Sequence, residues 1–331
     1  MTTADISVVI PTFNRSALLR HALKNLLEQD ASGCSVEIIV VDNNSTDDTR
    51  DVVEWLARSS GARVVYLKEE RQGNSYAKNT GIQRASGPII AFTDDDVRVA
   101  NDWIRAIMET FAAYPGISFI GGKVLPAWDS DEPTWLTREG WAPLGAVDYG
   151  PEPFEISGPD PRSLLAGNLA VRRAAFDRAG LFAPNLQRVK GGIGSLEDHE
   201  LVTRFCRAGE RGMYVPTLTA MTSVETERLT KSYHRRWHHG HGRFYALLRD
   251  PEWERTNRSV LGAPAHVYRQ VASSAVGWLG ETLRRRPERA FEHESQFRFL
   301  LGFLRQRIGS RQVKSADTGQ SSARRSTTTS A

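Results

Sequence analysis

The hydrophobic positions of this chain fall into two alternating patterns. Short apolar runs occupy residues 6–11, 36–42, 63–67, 89–92 and 117–122. Runs of that length, bounded by polar or turn residues, predict strands buried in a parallel sheet. Between them the apolar residues are spaced as on one side of a helix. Leu18, Leu19, Ala22 and Leu26 form one stripe, and Ile104, Ile107, Met108 and Phe111 another. Strand and helix therefore alternate. This predicts an α/β fold: a doubly wound, mostly parallel sheet with helices on both faces. Right-handed crossovers place loops 12–15, 42–45, 72–79 and 94–96 along one edge. Asn14, and Ser45 with Asp48, read as caps of the helices that follow them.

The second half is less regular. Residues 163–171 predict an extended segment, followed by a short helix to Ala179 that Gly180 ends. A helix over 196–208, stopped by Gly209, would bury Leu201, Val202, Phe205 and Cys206. Residues 213–215 predict a short strand. Residues 126–162 are rich in Gly, Pro and Trp (Trp128, Trp135, Trp141). So long a segment reads either as a lid or binding loop, or as a peripheral subdomain packed on its tryptophans. From Arg228 to about Ile308 the pattern is helical, and from Gly309 apolar content almost vanishes, which predicts a disordered tail. The expected division is an α/β domain over 1–230, a C-terminal helical extension over 231–309 and a tail over 310–331.

At 331 residues the chain can hold one large core with an appendage, or two domains. The formal net charge of +4 is unevenly spread. Acids cluster around the early sheet loops, while Arg and His crowd the region after Arg228. That suggests a basic surface for an anionic partner, or solvated helix faces. Cys34 and Cys206 make neither a disulfide framework nor a zinc site, and reduced thiols fit a cytoplasmic chain. No run of eighteen apolar residues exists, so no membrane span is expected. A strand from residue 6 leaves no room for a signal peptide.

Residues 89–92 run straight into Asp94, Asp95 and Asp96. Parallel sheets bind ligands just beyond the carboxyl ends of their strands. Adjacent carboxylates raise one another's pKa, and a bound cation removes that cost. On an extended backbone Asp94 and Asp96 point the same way. Two such oxygens suit a hard divalent ion that keeps its other positions for water and phosphate. An acidic turn capping the next helix is the plainer alternative. Asp42 ends the second strand, where an acid accepts hydrogen bonds from a nucleobase or ribose. Arg15, Lys78 and Arg84 are cations for phosphates. No Gly-x-Gly-x-x-Gly follows the first strand and no Gly-Lys-Ser/Thr loop occurs, which argues against a dinucleotide dehydrogenase and a P-loop enzyme. Together these residues describe a site for a nucleotide diphosphate.

Several motifs stand in one order: Val-Val-Ile-Pro-Thr-Phe-Asn-Arg15, Val-Val-Asp-Asn-Asn-Ser-Thr-Asp-Asp-Thr49, Asn79-Thr-Gly-Ile82, Phe-Thr-Asp-Asp-Asp-Val97, Gly167-Asn-Leu-Ala-Val171 and Glu197-Asp198. With them the first 230 residues resemble a family 2 glycosyltransferase of the GT-A fold. The resemblance implies transfer of a sugar from a nucleotide diphosphate, commonly UDP, to an acceptor hydroxyl with inversion. It implies a place in surface-polysaccharide or glycoconjugate synthesis, and a sugar, lipid-linked or protein acceptor. Pro11, Thr12, Asn14 and Arg15 match the first nucleotide-contacting loop. Asp42 matches the base-reading acid, with Asn44 and Ser45 in the same loop. Asn79, Asp94 and Asp95 belong with the donor-binding set. Asp96 foremost, with Asp94, matches the ligands of a divalent metal, Mn2+ or Mg2+. Asp198 matches the general base, and the adjacent Glu197 is the alternative. Inversion is a single displacement, so one base is enough. The plain reading of Glu197-Asp198 is first-turn acids favoured by a helix dipole.

Readings from other classes also follow. A silent nucleotide-sugar-binding protein would keep the donor site without turnover. A nucleic-acid-binding protein would use the Arg-rich half, but the interleaved aromatic stacking motifs are missing, so no nucleic-acid partner is expected. His234-Arg-Arg-Trp-His-His-Gly-His241 only partly matches the Gln-x-x-Arg-Trp of processive members. It reads first as a solvated basic helix face, and otherwise as a source of a His for the metal or an Arg for the diphosphate. Val276, Trp278, Leu279, Phe297, Phe299, Leu300, Leu301, Phe303 and Leu304 lie among many Arg. Packing on the core or in a dimer is preferred for them over peripheral contact with the inner face of an anionic membrane.

Overall fold

Alternate residues along the first strand serve two different cores. Ile6, Val8 and Ile10 pack with Leu19, Val53, Trp103 and Ile107 on one face of a sheet. Val9 packs with Ala77, Phe92, Phe176 and Phe205 on the other. That is the two-residue period of an extended chain, with helices covering both faces.

The computed structural model describes residues 3–31, 33–128, 132–187, 193–249, 251, 254 and 258–325. The chain divides into two compact units, Met1–Gly192 with Leu196–Leu229, and Ile193–Ser195 with Thr230–Ala331.

In the first unit β1 (Ile6–Thr12), α1 (Ser16–Leu27), β2 (Val36–Asp42), α2 (Thr49–Ser60), β3 (Val64–Lys68), α3 (Asn74–Arg84) and β4 (Ile89–Phe92) alternate as expected. They are followed by β5 (Val97–Val99), α4 (Trp103–Ala113), β6 (Phe119–Ala127), β7 (Phe154–Ile156), β8 (Leu169–Arg172), α5 (Arg173–Ala179), α6 (Glu197–Arg207) and β9 (Gly212–Ser223). The sheet order is β3-β2-β1-β4-β8-β6-β9-β5, with β7 also on β9. The four strands β3, β2, β1 and β4 pair in parallel, and so do β6 and β9. β8 runs antiparallel between β4 and β6.

Three local expectations change. The short strand at 213–215 is the start of the 12-residue β9. Thr217, Thr219 and Thr222 break up the apolar run in its second half, and pairing with β6 and β5 holds it extended. A strand, β5, intervenes between the acidic triplet and α4, so the triplet does not cap that helix. Neither Asn14 nor Ser45 caps a helix. Asn14 and Asn44 take left-handed φ values of 53° and 71°, which asparagine tolerates. The two loops instead clasp each other: Asn14 N–H donates to Ser45 Oγ at 2.9 Å, and Thr46 N–H donates to Asn14 Oδ1 at 2.7 Å. Asp47 accepts from the backbone at both helix starts, from Ser16 at 3.0 Å and from Thr49 at 3.2 Å.

The tryptophan-rich segment packs as a small satellite core. Leu136, Leu144, Ala146 and Val224 are its buried residues, with Trp128, Trp135 and Trp141 against them.

The second unit holds α7 (Lys231–Leu248), the hairpin β10 (Ser259–Val260) and β11 (Ala263–Pro264), α8 (Ala265–Leu283) and α9 (Pro287–Arg325). α7 and α9 touch backbone to backbone. A Cβ at Gly242 would strike the Phe299 carbonyl, and one at Gly302 the His239 carbonyl. The histidine cluster is therefore packed rather than a solvated face. His234 is buried, its ring 6.5 Å from His238 and 6.2 Å from Phe291. Burial, followed by the neighbouring His234 and His241, pushes the His238 imidazolium down to about 3. α9 continues helical past residue 310, where composition predicts a disordered tail. Once a packed stretch has nucleated, each further residue adds one backbone hydrogen bond. Residues 326–331 lie outside the described residues. Among the described residues no helix is long and apolar enough to cross a membrane.

Candidate active site

Parallel pairing puts the carboxyl ends of β1, β2 and β4 side by side, because each strand must return through a helix before running the same way again. Three groups of polar side chains line that edge.

The first is built on β2. Asp42, 3 % exposed, accepts at Oδ1 from the Ser45 N–H at 2.8 Å and at Oδ2 from the Tyr66 hydroxyl at 2.7 Å. Burial, then the hydrogen bond to Asp42, raises the Tyr66 phenol above its ordinary value.

The second joins β1 to the triplet. Thr12 Oγ1 donates to Asp95 Oδ2 at 2.8 Å. Arg15 Nη1 donates to Asp96 Oδ2 at 2.9 Å and reaches Asp95 Oδ1 at 3.4 Å, while its Nη2 reaches Glu225 Oε1 at 2.6 Å. Arg228 Nη2 lies 3.9 Å from the same Asp96 oxygen. Burial would lower the Arg15 guanidinium, but Asp95, Asp96 and Glu225 outweigh it and hold it raised.

The third gathers α3, α6 and the segment before β8. Lys78 is buried, and its Nζ donates to Asp198 Oδ1 at 2.9 Å. Asp198 Oδ2 accepts the Ala166 N–H at 3.0 Å. The Lys78 ammonium sits 4.7 Å from the Phe182 ring centroid. Burial opposes its charge, but Asp198, Glu197 and Asp94 raise its pKa above the usual lysine value. A Cβ at Gly167 would stand 3.2 Å from Asp94 Oδ2, so glycine there leaves that carboxylate its room.

Asp94 and Asp96 do not point the same way as expected. Val97 N–H donates to the Asp94 carbonyl at 3.2 Å, which bends the triplet into a turn. Asp95 and Asp96 then share Arg15, while Asp94 lies with Lys78 and Gly167. Burial is the main cause that pushes Asp94 up to about 6, and Lys78 only partly offsets it. Burial, then Asp96, pushes Asp95 up to about 7 against Arg15 and Thr12. Three nearby cations, Arg15, Arg228 and Lys78, face six acids, Asp94, Asp95, Asp96, Glu197, Asp198 and Glu225, which leaves acids in surplus at the end of β4. An all-oxygen carboxylate set with such a surplus fits a hard divalent ion. Among the described residues no three His, Cys, Asp or Glu side chains are grouped closely enough to hold one alone. Water and a diphosphate would have to complete the shell.

Two expected residues stand apart. Asn79 exchanges hydrogen bonds with the Phe182 backbone, at 2.9 and 3.0 Å, so its amide is engaged in joining α3 to the chain after α5. Arg84 is exposed at the far end of α3, roughly 9 Å along the helix from Lys78. Tyr66, Glu225 and Arg228 were not expected in the site. Tyr66 is two residues out of register with Asp42 on the neighbouring strand, a relation visible only once β2 and β3 are aligned.

The chain matches the model of Glycosyl transferase family 2 over residues 7–180. The chain belongs to that family. A β-1,3-glucosyltransferase of Campylobacter jejuni that acts on GalNAc(5)-diNAcBac-PP-undecaprenol is 36 % identical over 121 residues, which are 36 % of this chain and 38 % of that one. A glucosyl-dolichyl phosphate glucuronosyltransferase of Haloferax volcanii is 25 % identical over 220 residues, 63 % of this chain and 66 % of its own length. The chain thus spans well under half of the first relative and just under two thirds of the second. A solved structure of a Pyrobaculum calidifontis mannosyltransferase in complex with GDP-Man and Mn2+ superimposes with a TM-score of 0.62 at 18 % identity, covering 93 % of this chain and 88 % of that one. The S. aureus TarS structure with UDP gives 0.52 at 16 % identity, covering 91 % of each chain. These likenesses show the GT-A fold.

Proposed function

We propose that this family 2 member transfers a sugar from a nucleotide-diphosphate donor to an acceptor hydroxyl, with inversion and with a divalent metal. The observation that carries the reading is the double clamp on Asp198. Lys78 and the Ala166 N–H fix both carboxylate oxygens, so the group is oriented and stands beside the acids of β4. A fixed carboxylate can take the proton of an acceptor hydroxyl as that oxygen attacks the anomeric carbon. Asp42, held by Tyr66 and Ser45, presents a hydrogen-bond acceptor to a nucleobase imide. UDP follows from the family resemblance, and the solved neighbours carry GDP-Man, UDP or UDP-GlcNAc. Arg15 and Arg228 lie where a diphosphate would exchange partners with Asp95, Asp96 and Glu225. Asp96 and Asp94 would hold Mn2+ or Mg2+, whose charge neutralises the departing diphosphate. Neighbours solved with Mn2+ support that choice.

The names of the relatives support a lipid-linked acceptor and a role in glycoconjugate synthesis. We infer that the transfer takes place in the cytoplasm, at the inner membrane face for a lipid-linked acceptor, a reading that the name of the undecaprenol-linked relative supports. A thermal-shift screen of nucleotide sugars with and without Mn2+ tests the reading. Donor at a hundredfold excess over Kd should stabilise the fold by about 2.7 kcal/mol, and only with the metal present. Donor hydrolysis under the same conditions separates an enzyme from a silent binding protein. No shift with any donor would overturn the reading.

A further inference from the structure

α8 carries apolar side chains that its own unit does not cover. Val276, Leu279 and Leu283 are 72, 63 and 75 % exposed. Spaced three and four residues apart, they share one side of the helix, and exposed Ala272 extends that side by a turn. Among the described residues no other large apolar side chain exceeds 55 %. The rest of α8 is packed: Val267 and Ser274 are buried, and Trp278 lies 5.9 Å from the Phe297 ring.

The charge beside the stripe identifies what covers it. The stripe leads into Arg284, Arg285, Arg286 and Arg289, all exposed. Glu281, paired with Arg284 at 2.7 Å, and Glu288 are the acids among them. Arg285 and Arg286 also line a cleft of about 450 Å³ with Lys231, Arg235, Trp278 and Phe291. Residues 231–309 hold 15 Lys and Arg against 7 Asp and Glu, so the basic surplus belongs to the whole unit.

We propose that this face docks the protein on an anionic lipid bilayer, with α8 lying in the plane of the interface. The apolar stripe enters the boundary between headgroups and acyl chains, and the arginines stay among the lipid phosphates. An arginine cluster beside an apolar stripe suits a surface that is negative above and hydrocarbon below. The surface does not depend on sugar transfer, so its failure and that of the proposed activity are read separately.

Co-sedimentation of the full chain with vesicles tests it. The protein should pellet with vesicles of phosphatidylglycerol and phosphatidylcholine in equal parts, and stay in solution with pure phosphatidylcholine. Salt should weaken the binding. Leu279→Glu with Leu283→Glu should abolish it. Arg285→Glu with Arg286→Glu should weaken it by about tenfold or more. All four side chains are exposed, so both variants should melt at the wild-type temperature. Wild-type protein that stays in solution with the mixed vesicles would overturn the proposal, as would a stripe variant that pellets like wild type. Light scattering gives the remaining outcome. A dimer that the stripe variant turns into monomer would make the face a self-association surface, and the bilayer proposal falls.

Discussion

Carboxylates at the amino edge of the sheet and those at the end of β4 are treated in opposite ways. At the amino edge Glu37 is fully buried, yet Ser7, Ser86 and Arg63 outweigh burial and hold its pKa below the usual value. Glu210, beside the start of β6, is lowered chiefly by Arg178, with Ser118 helping. At the carboxyl edge Asp94 and Asp95 are pushed up to about 6 and 7, although Arg15 and Lys78 are near. Structural acids have partners enough to stay charged. Acids at the end of β4 do not, and so hold a proton more readily, a cost of burial that a cationic ligand would remove.

Substitutions at the two edges should separate in kind as well as size. Asp198→Asn should lower the rate of transfer by about a thousandfold while leaving donor Kd unchanged by calorimetry. Normal turnover would remove the carboxyl edge's claim to the chemistry. Lys78→Met strips the Asp198 carboxylate of its buried cation. A loss of about 3 kcal/mol in urea unfolding should accompany the loss of activity. Glu37→Gln should cost about 1–2 kcal/mol of stability with the rate per folded molecule unchanged. A slower folded enzyme would blur the distinction.

The pH dependence should also differ in sign. Asp94 and Asp95 bind protons more tightly folded than unfolded, because their pKa rises from 3.8. Their contribution to stability is therefore greatest at low pH and falls as pH rises through about 4 to 7. Glu37 has a depressed folded pKa. Its contribution is present above the unfolded value of 4.5 and is lost as pH falls through the folded one. Melting the metal-free protein across that range, with Asp95→Asn as the flattened control, checks both signs. The smallest effect belongs to Tyr66→Phe. Losing one hydrogen bond to Asp42 should raise the donor KM several-fold, about 1 kcal/mol, and leave kcat alone.

Much of the site was legible in the chain. Asp42, Asp94 and Asp96 stand just after apolar runs, and parallel pairing sets those places on one edge. The roles within the triplet were not legible, because the turn closed by the Val97 N–H sends Asp94 toward Lys78 and Asp96 toward Arg15. The family resemblance puts Asn79 with the donor-binding residues, and its amide is engaged by the Phe182 backbone. In the helical unit, the sequence sets apolar residues among arginines but does not say which face of α8 is covered. Phe297 and its neighbours take the Trp278 side and leave Val276, Leu279 and Leu283 bare.

By itself the sequence determined the alternation of strand and helix, and with it the edge on which the acids gather. Those are consequences of local periodicity, repeating every two or 3.6 residues. Only the tertiary structure decided which charges meet. Arg15 touches Glu225 across 210 residues, and Lys78 touches Asp198 across 120. No local pattern encodes such pairs, since they depend on where a turn aims a side chain and on how much water burial removes around it.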